Sequence, residues 1–78
     1  MNVKTKFKIG DEVYVVMEYD RGALVSKDAI LEITIDEEGV RYYLDNREDD
    51  VYESQVFALD DENGVLNEIK SILKDSDE

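Results

Sequence analysis

The sequence predicts a small, mostly β domain: an antiparallel sheet of four to five strands with one helix at its C-terminal end. Residues 13–19 and 29–36 alternate apolar and polar side chains, the period of a strand with one buried face. Residues 60–74 instead repeat apolar side chains at the helical period. The segments between the strands are too short for the helical crossovers that parallel strands require, so the sheet is predicted to be antiparallel.

Residues 7–16 are predicted to be the segment around which the sheet assembles. An apolar lead-in ends at Gly10 and Asp11, a pair typical of a tight turn. A strand of β-branched and aromatic residues then starts at Val13. We expect this first strand to have one fully buried face.

The second strand is predicted to begin only at residue 29. Residues 20–22 carry a turn signal, and the polar residues 26–28 indicate that the loop continues up to the strand. Strict alternation along residues 29–36 then predicts a core-facing set. This set is Leu31, Ile33 and Ile35.

Residues 40–44 are predicted to return beside the second strand after a short hairpin loop. Gly39 is free to adopt the positive φ that such a loop requires. The core-facing residues of this strand would be Val40, Tyr42 and Leu44. A polar loop follows at 45–50, and residues 51–58 form a further strand, which a helical turn near Ser54 would divide in two.

The helix of residues 60–74 has one apolar stripe. The stripe consists of Val65, Leu66, Ile69, Ile72 and Leu73. Acidic residues precede it and Lys70 and Lys74 lie near its end, which suits the helix dipole. Its N-cap is left open between Asp60, Asp61 and Asn63. The chain is thus predicted to be one domain, with a flexible lead-in (1–6), a β region (7–59), the helix (60–74) and an acidic tail (75–78).

The composition is strongly acidic. Nine Lys and Arg stand against 21 Asp and Glu, a formal net charge of −12 over 78 residues. Such a field repels nucleic acid and anionic lipid and attracts basic surfaces, so we expect neither direct nucleic-acid binding nor membrane binding. With no Cys and no long apolar run, the chain is predicted to be a cytoplasmic protein.

Catalytic and cofactor chemistry is not expected. The chain has no His and no Cys, and its serines lack a neighbouring activating base. No glycine-rich phosphate loop is present. Residues 45–50 superficially resemble a calcium loop, but Asp50 replaces the required Gly and Val56 the required Glu, so no metal site is predicted.

The acidic charge is concentrated in the second half of the chain. Residues 36–62 contain eleven carboxylates against two arginines, Arg41 and Arg47. The candidate partner-binding residues are Asp36, Glu37, Glu38, Glu48, Asp49, Asp50 and Glu53, with Tyr43 beside them. If these carboxylates share a face, they would present spaced negative charges to a basic partner. A role in solubility alone is the alternative.

The strand pattern resembles the small SH3-like barrels, including KOW and Tudor-type modules and many short bacterial and phage proteins. The matching residues are Phe7, Ile9, Gly10, Asp11, Val13 and Tyr14, the hairpin around Gly39, and residues 52–57 before the helix. The resemblance implies a closed antiparallel barrel. It also suggests a cation-binding cage of tyrosines, with Tyr43 as the best candidate. The chain lacks the basic surface of the members that bind nucleic acid.

By size and charge alone, the chain is also similar to the acidic nucleic-acid mimics that inhibit CRISPR and restriction nucleases. The leading hypothesis is therefore a non-enzymatic module that binds a basic nucleic-acid-binding protein or nuclease. The alternative is a structural adaptor that docks through its tyrosine-rich sheet or its C-terminal helix. A monomer or a weak homodimer through an open sheet edge is expected.

Overall fold

The computed structural model describes residues 4–76, which form a mostly β fold with one C-terminal helix. The elements are β1 (Glu12–Tyr19), β2 (Gly22–Asp36), β3 (Gly39–Leu44), β4 (Val51–Tyr52), a 3₁₀ turn (Glu53–Gln55), β5 (Val56–Phe57) and α1 (Glu62–Ser76). All neighbouring strands are antiparallel, in the order β4-β3-β2-β1-β5. The predicted class and strand direction are confirmed, but the sheet is open and the predicted closed SH3-like barrel is not demonstrated. The parts of the predicted lead-in and tail at 1–3 and 77–78 lie outside the described residues.

Strand β2 begins seven residues earlier than predicted, so the expected loop through residues 26–28 is wrong. Tyr19 pairs directly with Gly22, and a two-residue turn joins β1 to β2. The polar residues Ser26 and Asp28 are accommodated in the strand because Arg47 binds both side chains. This partner comes from a loop about twenty positions away, so local polarity alone misjudged the segment.

The core-facing set predicted for β2 is partly wrong. Ile30 is fully buried whereas Leu31 is 46% exposed, because a bulge between Ile30 and Glu32 inserts an extra residue and breaks the alternation. Ile33 packs against the core as predicted. Ile35 pairs with Val40 on the core side, but it lies near the strand end and remains 48% exposed.

All five strands contribute side chains to one hydrophobic core. Its buried residues are Val13, Val15, Ile30, Tyr42, Leu44, Val51 and Val56. Phe7, which precedes β1, covers one side of this core, since its ring meets the Tyr42 ring edge-on at 5.9 Å between centroids. The predicted turn is confirmed at Gly10, whose φ of +96° favours glycine and whose N–H donates to the Ile30 carbonyl at 2.8 Å.

Helix α1 packs against β1 and β2. Val16 points away from the core cluster formed by its neighbours, yet it is fully buried on the side that the helix covers. The helix starts at Glu62, two residues later than predicted, and Asp61 is its N-cap, accepting from the Gly64 N–H at 3.0 Å. In the described part of the chain, no helix has the length and apolarity needed to cross a membrane.

Candidate functional site

Most of the predicted partner-binding acids lie before and after strand β3. Residues 36–38 precede the strand and residues 48–49 follow it, so they are separated by six strand residues, about 20 Å. Asp50 returns alongside the strand because the next residue, Val51, pairs with Tyr42. We call these six carboxylates the acidic row: Asp36, Glu37, Glu38, Glu48, Asp49 and Asp50.

Arg41 lies in the middle of the acidic row and contacts two of its members. Its guanidinium donates to the Asp36 carboxylate, and its Nη1 lies 3.9 Å from Asp50 Oδ2. The other Asp36 oxygen accepts from the Glu38 N–H at 2.9 Å, which closes the hairpin. Arg41 therefore ties the β2–β3 hairpin to the start of β4 and partly neutralises Asp36 and Asp50.

Arg47 belongs to the acidic loop in sequence but points away from its acids. Its Nε donates to Asp28 Oδ2 at 3.3 Å and its Nη2 to Ser26 Oγ at 2.9 Å. Its Nη1 lies 2.7 Å from the sulfur of Met17. The side chains of Arg47 and Asp28 are only 18% and 11% exposed. The guanidinium thus anchors the 45–50 loop to the sheet and leaves Glu48 and Asp49 without a cation.

The remaining acids of the row are exposed and uncompensated. Within residues 4–76, the side chains of Glu37, Glu38, Glu48 and Asp49 form no hydrogen bond or ion pair. Arg41 instead contacts Asp36 and Asp50, and Arg47 contacts Ser26 and Asp28. These four carboxylates are therefore available to a partner, at both ends of β3.

Glu53, the seventh predicted acid, has an internal role in the structure. It is half-buried, and its Oε2 accepts from the Tyr42 hydroxyl at 2.5 Å and from the Lys6 N–H at 3.1 Å. Burial, and then the bond to this carboxylate, raise the pKa of Tyr42 to about 12. Glu53 therefore links the backbone at Lys6 and the core residue Tyr42 to the 3₁₀ turn, and its carboxylate already accepts hydrogen bonds within the fold.

The tyrosines of β3 and β4 lie on two faces of the sheet, Tyr42 in the core and Tyr43 and Tyr52 on the opposite face. Tyr43 is half-buried on the face of β3 opposite to Tyr42, and it pairs with Glu32 of β2. Tyr52 pairs with Arg41 and shares that face. Among the described residues the one ring pair is Phe7–Tyr42, so no set of rings surrounds a common point as a cation cage requires.

The acids before the helix do not belong to the acidic row. Asp61 caps α1, which packs against β1 and β2, whereas the acidic row lies at the two ends of β3. Asp60 and Glu62 are the neighbours of this cap in sequence. The negative charge of residues 36–62 is therefore divided between two regions.

Two open depressions border these regions. One, of about 490 Å³, is lined by Met17, Ser26, Asp28, Asn46, Arg47, Glu48, Asp49 and Asp50. The other, of about 390 Å³, is an apolar groove between α1 and the β1–β2 ribbon, lined by Tyr14, Val25, Glu62, Val65 and Leu66. No group of three or more acidic side chains within residues 4–76 is arranged to hold a metal ion. The chemistry that the acidic row itself offers is electrostatic attraction and hydrogen-bond acceptance.

No family model, curated protein or solved structure matches this chain.

Proposed function

We propose that this protein is a non-enzymatic module that binds a basic protein through the acidic row. The observation that carries the proposal is the commitment of Arg41 and Arg47 to internal contacts, which leaves Glu37, Glu38, Glu48 and Asp49 exposed and uncompensated. Clustered carboxylates on ordered elements attract basic surfaces and accelerate association with them.

The preferred partner class is a nucleic-acid-binding protein or nuclease, with the acidic row acting as a nucleic-acid mimic. The uncompensated carboxylates lie in two pairs, Glu37 and Glu38 before β3 and Glu48 and Asp49 after it, separated by the length of the strand, about 20 Å. The phosphates of one DNA strand advance by about 3.4 Å per nucleotide, so a separation of about 20 Å corresponds to about six nucleotides. A basic groove that binds phosphates this far apart would therefore encounter negative charge at a similar separation on this protein.

The strand order supports the further proposal that the sheet curls into an SH3-like barrel. β4 and β5 are the two edges of the sheet, yet only the three-residue 3₁₀ turn separates them in the chain. The edges are therefore held close together at this point. The bulge in β2 supplies the strand bend that such a curvature needs.

A competition assay tests the mimic proposal. The probes are a purified basic DNA-binding nuclease and a labelled DNA duplex, and the measured quantity is the duplex displaced at increasing salt. We expect displacement that weakens steeply with salt and is largely lost when Glu37, Glu38 and Glu48 are changed to Gln and Asp49 to Asn. The matched control neutralises four acids elsewhere, Glu12 and Glu68 to Gln and Asp20 and Asp60 to Asn, and should retain displacement. Equal loss in both variants would reject the acidic row as the binding surface.

The adaptor function is a second candidate, favoured by the apolar groove beside α1. Leu66 is 51% exposed and Val25 40% exposed at this groove, so an apolar segment docked here would remove their side chains from water. Docking of an apolar segment here would be insensitive to salt and unaffected by the four neutralising substitutions. The salt dependence of binding therefore separates the two functions.

A further inference from the structure

One half of β2 has an unpaired edge. β1 pairs with Gly22–Ala29 on one side, whereas β3 pairs with β2 only from Ile30 onward. No other strand in the described part of the chain pairs with residues 22–28. The backbone of this segment is thus an edge to which another strand can add.

The residues whose backbone groups face outward at this edge follow from two neighbouring contacts. The Ala29 carbonyl accepts from the Asp45 N–H at 2.9 Å on the side away from β1. The Ile30 N–H and carbonyl instead bond to Asp11 and Gly10, which precede β1. Because strand backbone groups alternate in direction, Ala23, Val25 and Lys27 share the outward direction of Ala29. None of the turn and loop hydrogen bonds in the described chain reaches these three residues.

The two ends of the free edge restrict the way a second copy can pair. Residue 21 lies in the β1–β2 turn, and the Ala29 carbonyl is already occupied. An antiparallel pair of β2 edges that uses all three outward residues is centred on Val25. It places Val25 opposite Val25 of the second copy, and Ala23 opposite Lys27 of the second copy.

This register is complementary in charge. Glu18 pairs with Ala23 within one copy, so it lies two strands, about 10 Å, from Lys27 of the second copy. Only the small Ala23 side chain lies between them, and both long side chains can reach across it. The same contact recurs on the other side of the two-fold axis.

The end of the β1–β2 ribbon that would pair is less acidic than the chain as a whole. Residues 16–27 contain Glu18 and Asp20 against Arg21 and Lys27 and are neutral overall, whereas the whole chain carries −12. Val25, half-exposed beside Leu66, lies at the centre of the register. Pairing there would bring the apolar groove of each copy toward the other and cover part of its exposed surface.

We propose that two copies of this chain form a symmetric dimer by antiparallel pairing of their β2 edges over residues 23–27, centred on Val25 and flanked by two Glu18–Lys27 ion pairs. The paired residues 23–27 include no member of the acidic row, although the 45–50 loop borders this segment through the contacts of Arg47 with Ser26 and Asp28. The dimer would present two acidic rows to a partner, one from each copy.

Sedimentation velocity of the full-length chain between about 10 µM and 1 mM tests the dimer, with the weight-average mass as the readout. We expect a concentration-dependent shift from monomer to dimer. Val25→Lys places two ammonium groups together at the two-fold axis and should weaken dimerisation by at least about tenfold. Ile35→Lys, the same change at a half-exposed position near the other end of β2, is the matched control and should leave dimerisation unchanged.

A charge exchange keeps the test informative if Val25→Lys impairs folding. Glu18→Lys and Lys27→Glu should each weaken the dimer by creating like-charge contacts, and the double variant should restore it. Glu12→Gln controls for Lys27, since it removes only the 3.9 Å contact between these residues within one copy. A monomer throughout the concentration range, or a double variant no better than either single one, would overturn the proposal.

Discussion

The hydroxyl of Tyr42 lies 2.5 Å from the Glu53 carboxylate, and this bond joins the centre of the core to the 3₁₀ turn. Tyr42 is fully buried. Desolvation first, and the carboxylate second, raise the pKa of Tyr42 to about 12. The neutral phenol is therefore a requirement of the folded state.

Alkaline pH should destabilise the fold through this phenol. The folded pKa is above the value of about 10 in the unfolded chain, so its contribution to stability is complete below pH ~10 and is lost as pH rises toward 12. Urea unfolding from pH 8 to 12 measures the free energy of unfolding. Tyr42→Phe should cost about 1–3 kcal/mol at pH 8 and show a smaller further loss above pH 10. Tyr19→Phe, at an exposed tyrosine, should keep the wild-type profile; an unchanged alkaline loss in Tyr42→Phe would contradict the assignment.

Arg47 should be more important for stability than its loop position suggests. Arg47→Gln leaves Asp28, which is 11% exposed, without its guanidinium partner. Because breaking a largely buried ion pair costs more than the pair itself contributes, we expect a loss of about 2–3 kcal/mol in chemical denaturation. Arg21→Gln, in the exposed turn, should change stability by less than ~0.5 kcal/mol. A double-mutant cycle with Asp28→Asn should show coupling, and additive effects would contradict the contact.

Gly64 should resist replacement although it lies in a helix. A Cβ there would overlap the Asp61 carboxylate and lie 2.9 Å from Phe57 Cδ1. Gly64→Ala should therefore disturb the N-cap and lower stability by about 1 kcal/mol, despite the ~1 kcal/mol that alanine ordinarily contributes in a helix interior. Asn67→Ala, on the exposed side of α1, should instead be neutral or slightly stabilising in thermal melts. A more stable Gly64→Ala variant would show that the cap can rearrange.

The bulge in β2 predicts that replacing each of two adjacent residues by alanine changes the free energy of unfolding by different amounts. Ile30→Ala should cost about 2–5 kcal/mol because Ile30 is fully buried. Leu31→Ala should cost less than ~1 kcal/mol because Leu31 is 46% exposed. Urea denaturation of the two variants measures both values, and equal costs would contradict the register.

Much of the fold was predictable because its signals are local. Gly10 lies in a turn as expected, and Gly39 has the expected positive φ, +116°. The helical turn near Ser54 is present as the 3₁₀ turn. The roles of Ser26 and Asp28 were missed because Arg47 contacts them from a distant loop, and the face of Leu31 was missed because a bulge leaves no clear pattern in sequence.

The candidate site was predictable in composition and less so in arrangement. The sequence identified the concentration of acids in residues 36–62 but did not distinguish the roles of Glu53 and Glu48. In the structure the Glu53 carboxylate accepts a hydrogen bond from the Tyr42 hydroxyl, whereas Glu48 is exposed and unpaired within residues 4–76. Local sequence specifies how much charge a segment carries, and only the packed chain decides which charges are neutralised.

The sequence by itself determined the β-rich class, the antiparallel direction, the C-terminal helix and the excess of negative charge, since these depend on periodicity, short connections and composition. Tertiary structure decided the rest. It assigned Arg41 and Arg47 to internal contacts, separated the acids of β3 from those of the helix start, and left half of β2 unpaired. The physical reason is that hydrogen bonds and ion pairs join residues distant in sequence, and no local pattern records such partners.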